Sequence, residues 1–279
     1  RAGWRGGLYF QDEYQITDSL LINAGVRFDR HHMIENIQIN PRVAVIWDVI
    51  PSITTKLLYG SAFRAPNVYE RDFNNQDFGF KANANNTEEH IKSYEGIIEW
   101  RPGSGYSVTA SLFYNDFNRL IEHQEDDQPP AQFTNGGKFH SSGFELGAEK
   151  RWQNGRLLKL AWTYSDVRDD DQGGIVSADA PKNLVKLHYA EPFFNDTVRL
   201  GFEEIFVDER RTLGHNIAPS YHLFNINLAL TKPLYGFQAT LGLYNVLDQH
   251  YKVLGGSEHV QDTLAMDGRT VRFRLEYGF

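Results

Sequence analysis

The stretch YGSAFRAPNVYE, Tyr59 to Glu70, closes an apolar strand pattern on an arginine, Arg64, followed by Pro66. Proline cannot donate to a strand ladder, so it blocks continued pairing there. The chain then runs on through a long segment of mostly Asn, Asp, Phe and Gly. Long connections without structure of their own tend to be functional. The candidate binding side chains at this rim are therefore Arg64, Tyr69, Arg71, Phe73, Phe78 and Phe80. Two acidic runs, EHQEDDQ (122–128) and DVRDDDQGG (166–174), offer clustered carboxylates of the kind that hold calcium. Their spacing is not that of an EF-hand, and an acidic solvated loop is the favoured account of them over calcium. The ten histidines show no zinc spacing. None of the phosphate-cradle, nucleophile-elbow, dinucleotide or metalloprotease signatures occurs. The chemistry expected is binding, with no cofactor and no covalent step.

These residues sit between strands. The chain has 279 residues, a net charge of −8 and no cysteine. Disulfides and thiolate metal sites are excluded, and the charge argues against a nucleic-acid partner. No apolar run is long enough for a membrane-spanning helix. The pattern is instead period two almost throughout. TVRFRLEYGF sets Val271, Phe273, Leu275, Tyr277 and Phe279 against Arg272, Arg274 and Glu276. SYEGIIEWR sets Tyr94, Ile98 and Trp100 against Glu95, Glu99 and Arg101. GFELGAEKRW sets Phe144, Leu146, Ala148 and Trp152 against Glu145, Glu149 and Arg151. No segment shows a helical period.

About thirteen such strands can be counted, most of eleven to fourteen residues. Globular strands average about 5–6 residues; roughly 9–11 cross a bilayer at a tilt. Aromatics gather near strand ends, where interfacial girdles lie. The connections alternate: short at 17–19, 50–52, 102–105, 153–155, 192–196 and 232–235, long near 34–39, 64–88, 122–137, 169–180, 209–219 and 248–267. That rhythm belongs to an all-β, transmembrane, antiparallel up-and-down β-barrel of the outer membrane, with tight periplasmic turns and long extracellular loops. An odd strand count would start the chain outside the cell, so residues 1–279 are expected to be the C-terminal portion of a larger single barrel domain.

Five segments carry a family resemblance. YGSAFRAP resembles the Y-x-x-G-F-R-A-P segment of TonB-dependent outer-membrane receptors. INPRVAVIW (Ile39 to Trp47) resembles their Asn/Ser-Pro-Arg strand. TNGGKFHSSGFELGAE (Thr134 to Glu149) resembles their N-x-G-K-x-x-x-x-G-x-E strand, with Asn135, Gly137, Lys138, Gly143 and Glu145 in place. LYNVLDQHY (Leu243 to Tyr251) resembles N-L-F-D-x-x-Y, and DGRTVRFRLEYGF their closing strand. After the long loop, NANANNTEEH keeps Asn83 and Glu89 of the family's N-P-x-L-K-P-E but neither proline.

The resemblance implies a barrel of about 22 strands closed by an N-terminal plug, of which this chain would hold the last thirteen or so. It implies an outer-membrane protein of a Gram-negative bacterium. Such a protein binds a ferric siderophore or cobalamin at its loops and imports it with energy from the TonB complex through the plug. Arg64 is then a rim residue facing ligand or plug, or an arginine ion-paired with a neighbouring strand. Arg42, Glu95, Glu99, Glu145, Glu149, Arg272 and Arg274 face lumen or plug, or pair across strands. Phe273, Leu275, Tyr277 and Phe279 form the signal read by the outer-membrane assembly machinery, in a strand that also meets lipid. A passive porin is the rival reading, and a haem receptor a further one. No histidine occurs between Arg64 and Glu89, and His90 lies just past them.

Overall fold

The computed structural model of the chain describes residues 3–75, 80–124, 131–171, 173–256 and 259–278. Phe78, Phe279 and the end of the 122–128 acidic run lie outside them.

Thirteen strands follow one another in a single antiparallel meander. They are β1 (Arg5–Thr17), β2 (Leu20–His31), β3 (Gln38–Ile50), β4 (Ile53–Arg64), β6 (Glu89–Gly103), β7 (Tyr106–Gln124), β8 (Ala131–Arg151), β9 (Leu157–Asp169), β11 (Asn183–Phe193), β12 (Val198–Val207), β15 (Tyr221–Leu230), β16 (Phe237–Tyr244) and β19 (Thr270–Tyr277). Each pairs with the next in chain order, and β1 and β19 are the two ends of the sheet. Among the described residues the long connections also carry one helical turn, α1 (Val68–Asp72), and short strands β5 (Phe80–Lys81), β10 (Ile175–Val176), β13 (Arg210–Arg211), β14 (Ile217–Ala218), β17 (Lys252–Leu254) and β18 (Thr263–Ala265).

Three local departures from the sequence pattern have physical causes. β7 and β8 run 19 and 21 residues, so the connection expected at 122–137 shrinks. Pairing shifts register between Phe117 and Leu120 and then continues to Gln124. Arg119 adopts a φ of 61° in that bulge, which interrupts the ladder without ending it. The last long connection begins at Asn245 rather than at 248, because Asn245 turns left-handed with a φ of 50°. α1 is too short to show a period, but the Asn67-x-x-Glu70 box that caps it is readable.

Register carries the alternation across the sheet. Val43, Tyr59, Tyr94 and Tyr114 stand opposite one another on one face. Arg42, Lys56, Glu95, Glu99, Glu145, Glu149, Arg272, Arg274 and Glu276 share the other. Among the described residues nothing covers the apolar face: Leu57 is 59% exposed, Leu112 67% and Phe273 67%. Among the described residues only Ile34, Ala190, Val207 and Ala218 form a buried apolar set. A water-soluble fold hides such a surface; a barrel presents it to lipid. Aromatic rings run across this face, Tyr59–Tyr94 at 5.0 Å, Tyr94–Tyr114 at 6.3 Å, Phe144–Trp162 at 4.7 Å and Tyr189–Phe202 at 6.3 Å.

Two glycines of the sequence motifs are explained by close approach. A Cβ on Gly143 would lie 2.0 Å from the Tyr164 carbonyl oxygen, and one on Gly137 2.8 Å from Leu120 Cβ. Only a residue without a Cβ lets β8 pass β9 and the end of β7 at these points.

Candidate functional site

The site is built at the long-loop end, where β4 stops at Arg64. Its guanidinium donates through Nη2 to Glu89 Oε1 at 2.6 Å and through Nε to the other oxygen of the same carboxylate. Nη1 donates to both oxygens of Glu70, at 2.9 and 3.0 Å. Glu70 in turn accepts from the Asn67 backbone at 2.8 Å, while Asn67 Oδ1 accepts from Glu70 N at 2.9 Å. Glu89 also accepts from Ile121 N at 2.8 Å. One arginine thereby joins β4, α1, β6 and β7. These are charge-assisted and bidentate bonds, the strong kind.

The connection after α1 is held down by asparagines. Asn86 Nδ2 donates to the carbonyls of Glu70 (2.8 Å) and Phe133 (2.9 Å), and Asn83 Nδ2 to Phe133 O (2.8 Å). Asn135 accepts from Thr87 N at 2.6 Å and donates to Arg119 O at 2.8 Å. Glu88 is bonded by Thr87 (2.6 Å), with His90 and Arg119 each at 3.3 Å. Burial pushes the Glu88 carboxyl up. The hydrogen bonds from Thr87, its own backbone and His90, with the charge of Arg119, outweigh that and hold it below the ordinary carboxylate range. His90 is thus engaged by a carboxylate.

Around this frame the structure brings together Arg64, Tyr69, Arg71, Phe73 and Phe80; Phe78 is outside the described residues. Tyr69 stacks on Phe73 at 4.6 Å and meets Phe133 edge-on at 5.5 Å, and Phe73 meets Phe80 at 5.6 Å. Arg71 Nη1 donates to Met33 O at 2.6 Å, tying α1 to the β2–β3 connection.

The polar face carries many of its charges as pairs. Lys56 and Arg101 both reach Glu99, at 2.6 and 2.7 Å, and Lys159 and Arg151 both reach Glu149, the first at 2.9 Å. Arg274 pairs with Glu276 at 2.6 Å, and Arg272 lies over the Tyr244 ring at 5.1 Å. Glu145 accepts weakly from Thr163 at 3.5 Å. Arg42 and Glu95 make no ion pair among the described residues. The carboxylates of the 166–174 run are taken by protein partners: Asp166 by Arg168 at 2.8 Å, Asp170 by His140 at 2.7 Å, Asp171 by Lys138 N at 2.7 Å. Among the described residues no group of three or more His, Asp or Glu is placed to hold a metal ion. Phe273, Leu275 and Tyr277 line one side of β19, on the apolar face.

Sequence reasoning missed a second latch among the later loops. Asp262, in the β17–β18 connection, accepts from Thr212 Oγ1 (2.6 Å), Asn216 Nδ2 (2.9 Å) and Gly214 N (3.0 Å) of the β13–β14 hairpin. These bonds, the Thr212 bond foremost, hold its carboxyl below the ordinary aspartate value. Nothing in the local spacing announces a pairing across 50 residues. Arg210 of β13 adds to the latch, donating to the Lys252 carbonyl of β17 at 3.3 Å. The final motif, by contrast, is locally explained. Asn245 bonds Gln249 in both directions (2.9 and 2.8 Å), and Asp248 Oδ1 accepts from Arg269 N at 2.7 Å.

A meander of long antiparallel strands, with one apolar and one charged face and folded loops at one end, is the architecture of a transmembrane β-barrel wall. Residues 2–246 match the family described as TonB dependent receptor-like, beta-barrel, and the chain belongs to that family. Similar solved structures include the FrpB iron transporter from Neisseria meningitidis, F5-1 variant in its apoprotein form. It is 19% identical with a TM-score of 0.76, covering 98% of this chain and 45% of that one. The ferric enterobactin receptor PfeA is 16% identical with a TM-score of 0.80, over 97% and 45%. The copper transporter OprC is 14% identical with a TM-score of 0.78, over 99% and 48%. At these identities the likeness shows the fold, and the chain spans less than half the length of each. No curated protein matches the chain.

Proposed function

We propose that this chain is the C-terminal portion, residues 1–279, of a single barrel domain in an outer-membrane active transporter of a Gram-negative bacterium. The apolar face meets lipid and the charged face lines the lumen and meets the plug. The long connections are extracellular, and Arg64, Tyr69, Arg71, Phe73, Phe78 and Phe80 shape the rim where a scarce, bulky nutrient lands. The TonB complex supplies the energy through the plug. The C-terminal Phe273, Leu275, Tyr277 and Phe279 present the last strand to the assembly machinery. No bond-making step is required, and no resident cofactor.

The observation that carries this reading is the family membership over residues 2–246. The cargo class is a ferric siderophore. The solved structures with this fold include an iron transporter and a ferric enterobactin receptor, which supports iron over cobalamin and over a passive pore. Haem is disfavoured because no histidine occurs between Arg64 and Glu89, and His90, just past them in the chain, is held by Glu88. The test is growth on iron bound to a strong chelator. Deleting the gene for the full-length protein should abolish growth on at least one ferric siderophore, and restoring it should restore growth. Unchanged growth on every ferric chelate, with failure on cobalamin or haem instead, would move the cargo to those classes.

A further inference from the structure

At the short-turn end of the sheet, far along the strands from Arg64, the apolar face closes on a lysine. Between β7 and β8 the opposed pairs Leu112–Phe144, Ala110–Leu146 and Val108–Ala148 give way to Tyr106 opposite Lys150. Lys150 also stands opposite Leu158 of β9, on the same apolar face. Its Nζ lies 3.4 Å from the centre of the Tyr106 ring and 5.6 Å from that of Trp152, and donates to Ser104 O at 2.6 Å. An ammonium has three hydrogens to give, and Lys150 makes no ion pair among the described residues.

The neighbouring cation is already taken. Arg156 lies 5.8 Å from the same Trp152 ring, but Glu191 holds it through both oxygens, at 2.7 and 2.8 Å, and Tyr189 donates to that carboxylate as well. Tyr106, Lys150, Trp152, Arg156 and Tyr189 thus form a belt across the ends of β7, β8, β9 and β11. Belts of aromatic rings sit at the level of the lipid headgroups. Beside Lys150 the two turns enclose an open hollow of about 610 Å³, whose lining includes Ser104, Lys150, Arg151, Trp152, Gln153 and Asn154 and no carboxylate. Arg151 is engaged by Glu149. Trp152 Nε1, Gln153 Nε2 and Asn154 Nδ2 have no acceptor among the described residues. The hollow therefore presents an open positive charge and spare donors where the apolar wall ends.

We propose that this hollow binds the headgroup phosphate of an anionic phospholipid of the periplasmic leaflet, with the acyl chains continuing along the apolar column above Tyr106. Lys150 supplies the charge, and Trp152, Gln153 and Asn154 supply further donors. A zwitterionic headgroup fits less well, because its ammonium meets Lys150 and finds no free carboxylate, Glu191 being held by Arg156. The proposal rests on the reading of the apolar face as lipid-facing and of the short turns as periplasmic.

The experiment uses the full-length receptor in detergent, offered equal amounts of phosphatidylglycerol and phosphatidylethanolamine, with native mass spectrometry counting the retained lipid. Wild type should retain phosphatidylglycerol about tenfold over phosphatidylethanolamine, the worth of one charge-assisted hydrogen bond. The preference should weaken as salt is raised. K150Q should lose it, K150R should keep it, and K186Q, a lysine lost from the opposite face of β11, should change nothing. A heat-modifiable band on gels confirms that each variant is assembled. Equal retention of the two lipids by wild type, or an assembled K150Q with the wild-type preference, overturns the proposal. Displacement of the lipid by millimolar glycerol phosphate also overturns it, since the site would then serve a soluble phosphate. Any of these results leaves transport standing, because gradient-driven uptake is measured separately. The orientation has its own check: N195C, in the next short turn, should resist a membrane-impermeant maleimide in intact cells. Labelling from outside overturns the periplasmic reading, and the proposal with it.

Discussion

Arg64 and Glu89 close a two-bond fork across β4 and β6, 25 residues apart in the chain. The relationship fixes the ends of the longest early connection to each other, and Glu70 locks α1 onto the same guanidinium. Arg64 is therefore the keystone of the rim. Replacing it with alanine would leave Glu89, 9% exposed, without its cation. The expected cost is about 1–3 kcal/mol, felt locally. R64K should not restore the rim, because an ammonium cannot fork onto two carboxylates. Hydrogen exchange over residues 65–88 is the readout: faster in R64A and in R64K. Unchanged exchange in R64A would remove the keystone role.

Asn135 predicts a second, separable effect. It receives Thr87 N and gives to Arg119 O, so N135A should release the loop at Thr87 while leaving α1 capped by Asn67. Amide exchange should rise at Thr87 and stay level at Glu70. A loss at both positions would mean the two anchors act as one unit.

Gly143 tests the sheet itself. With a Cβ only 2.0 Å from Tyr164 O, G143A must push β8 off β9. In the full-length protein this should sharply reduce the assembled, heat-modifiable form. An alanine at Gly60, where a Cβ meets nothing within 4 Å, should assemble normally. Equal assembly of the two variants would contradict this register of β8 on β9.

Asp262 sets a pH expectation. Its carboxyl is held below the ordinary value of 3.8 by Thr212, Asn216 and Gly214. A depressed acid contributes stability that is fully present above its unfolded value and fades as pH falls through the folded one. The latch between the β13–β14 hairpin and the β17–β18 connection should therefore be constant from pH 8 to 5 and weaken only in strong acid. D262A should loosen both loops at every pH in that range, seen as faster exchange at Gly214. A latch that opens between pH 7 and 5 would contradict the role given to Asp262.

What the sequence made legible was whatever repeats or acts locally. Alternation on β19 or β6 needs only neighbours two residues apart, so the two faces and the strand count could be read directly. Pro66 ended β4 where expected. The motif glycines Gly137 and Gly143 could be located but not explained, because the atoms they avoid lie on other strands. The continuation of β7 and β8 was hidden by the acidic run from Glu122, whose composition reads as a loop although the strand pairing continues to Gln124. For Arg64, both open readings concerned its partner, and its partners come from 6 and 25 residues away. The Asp262 latch depends on loop folding across 50 residues, which has no local signature.

The most direct test of the central claim is uptake of radiolabelled ferric siderophore by cells making the full-length receptor, with and without dissipation of the proton gradient. The account predicts saturable uptake that stops when the gradient is collapsed or TonB is removed, while binding at the surface persists. Uptake that rises linearly with concentration and ignores the gradient would mark a passive channel and contradict the account.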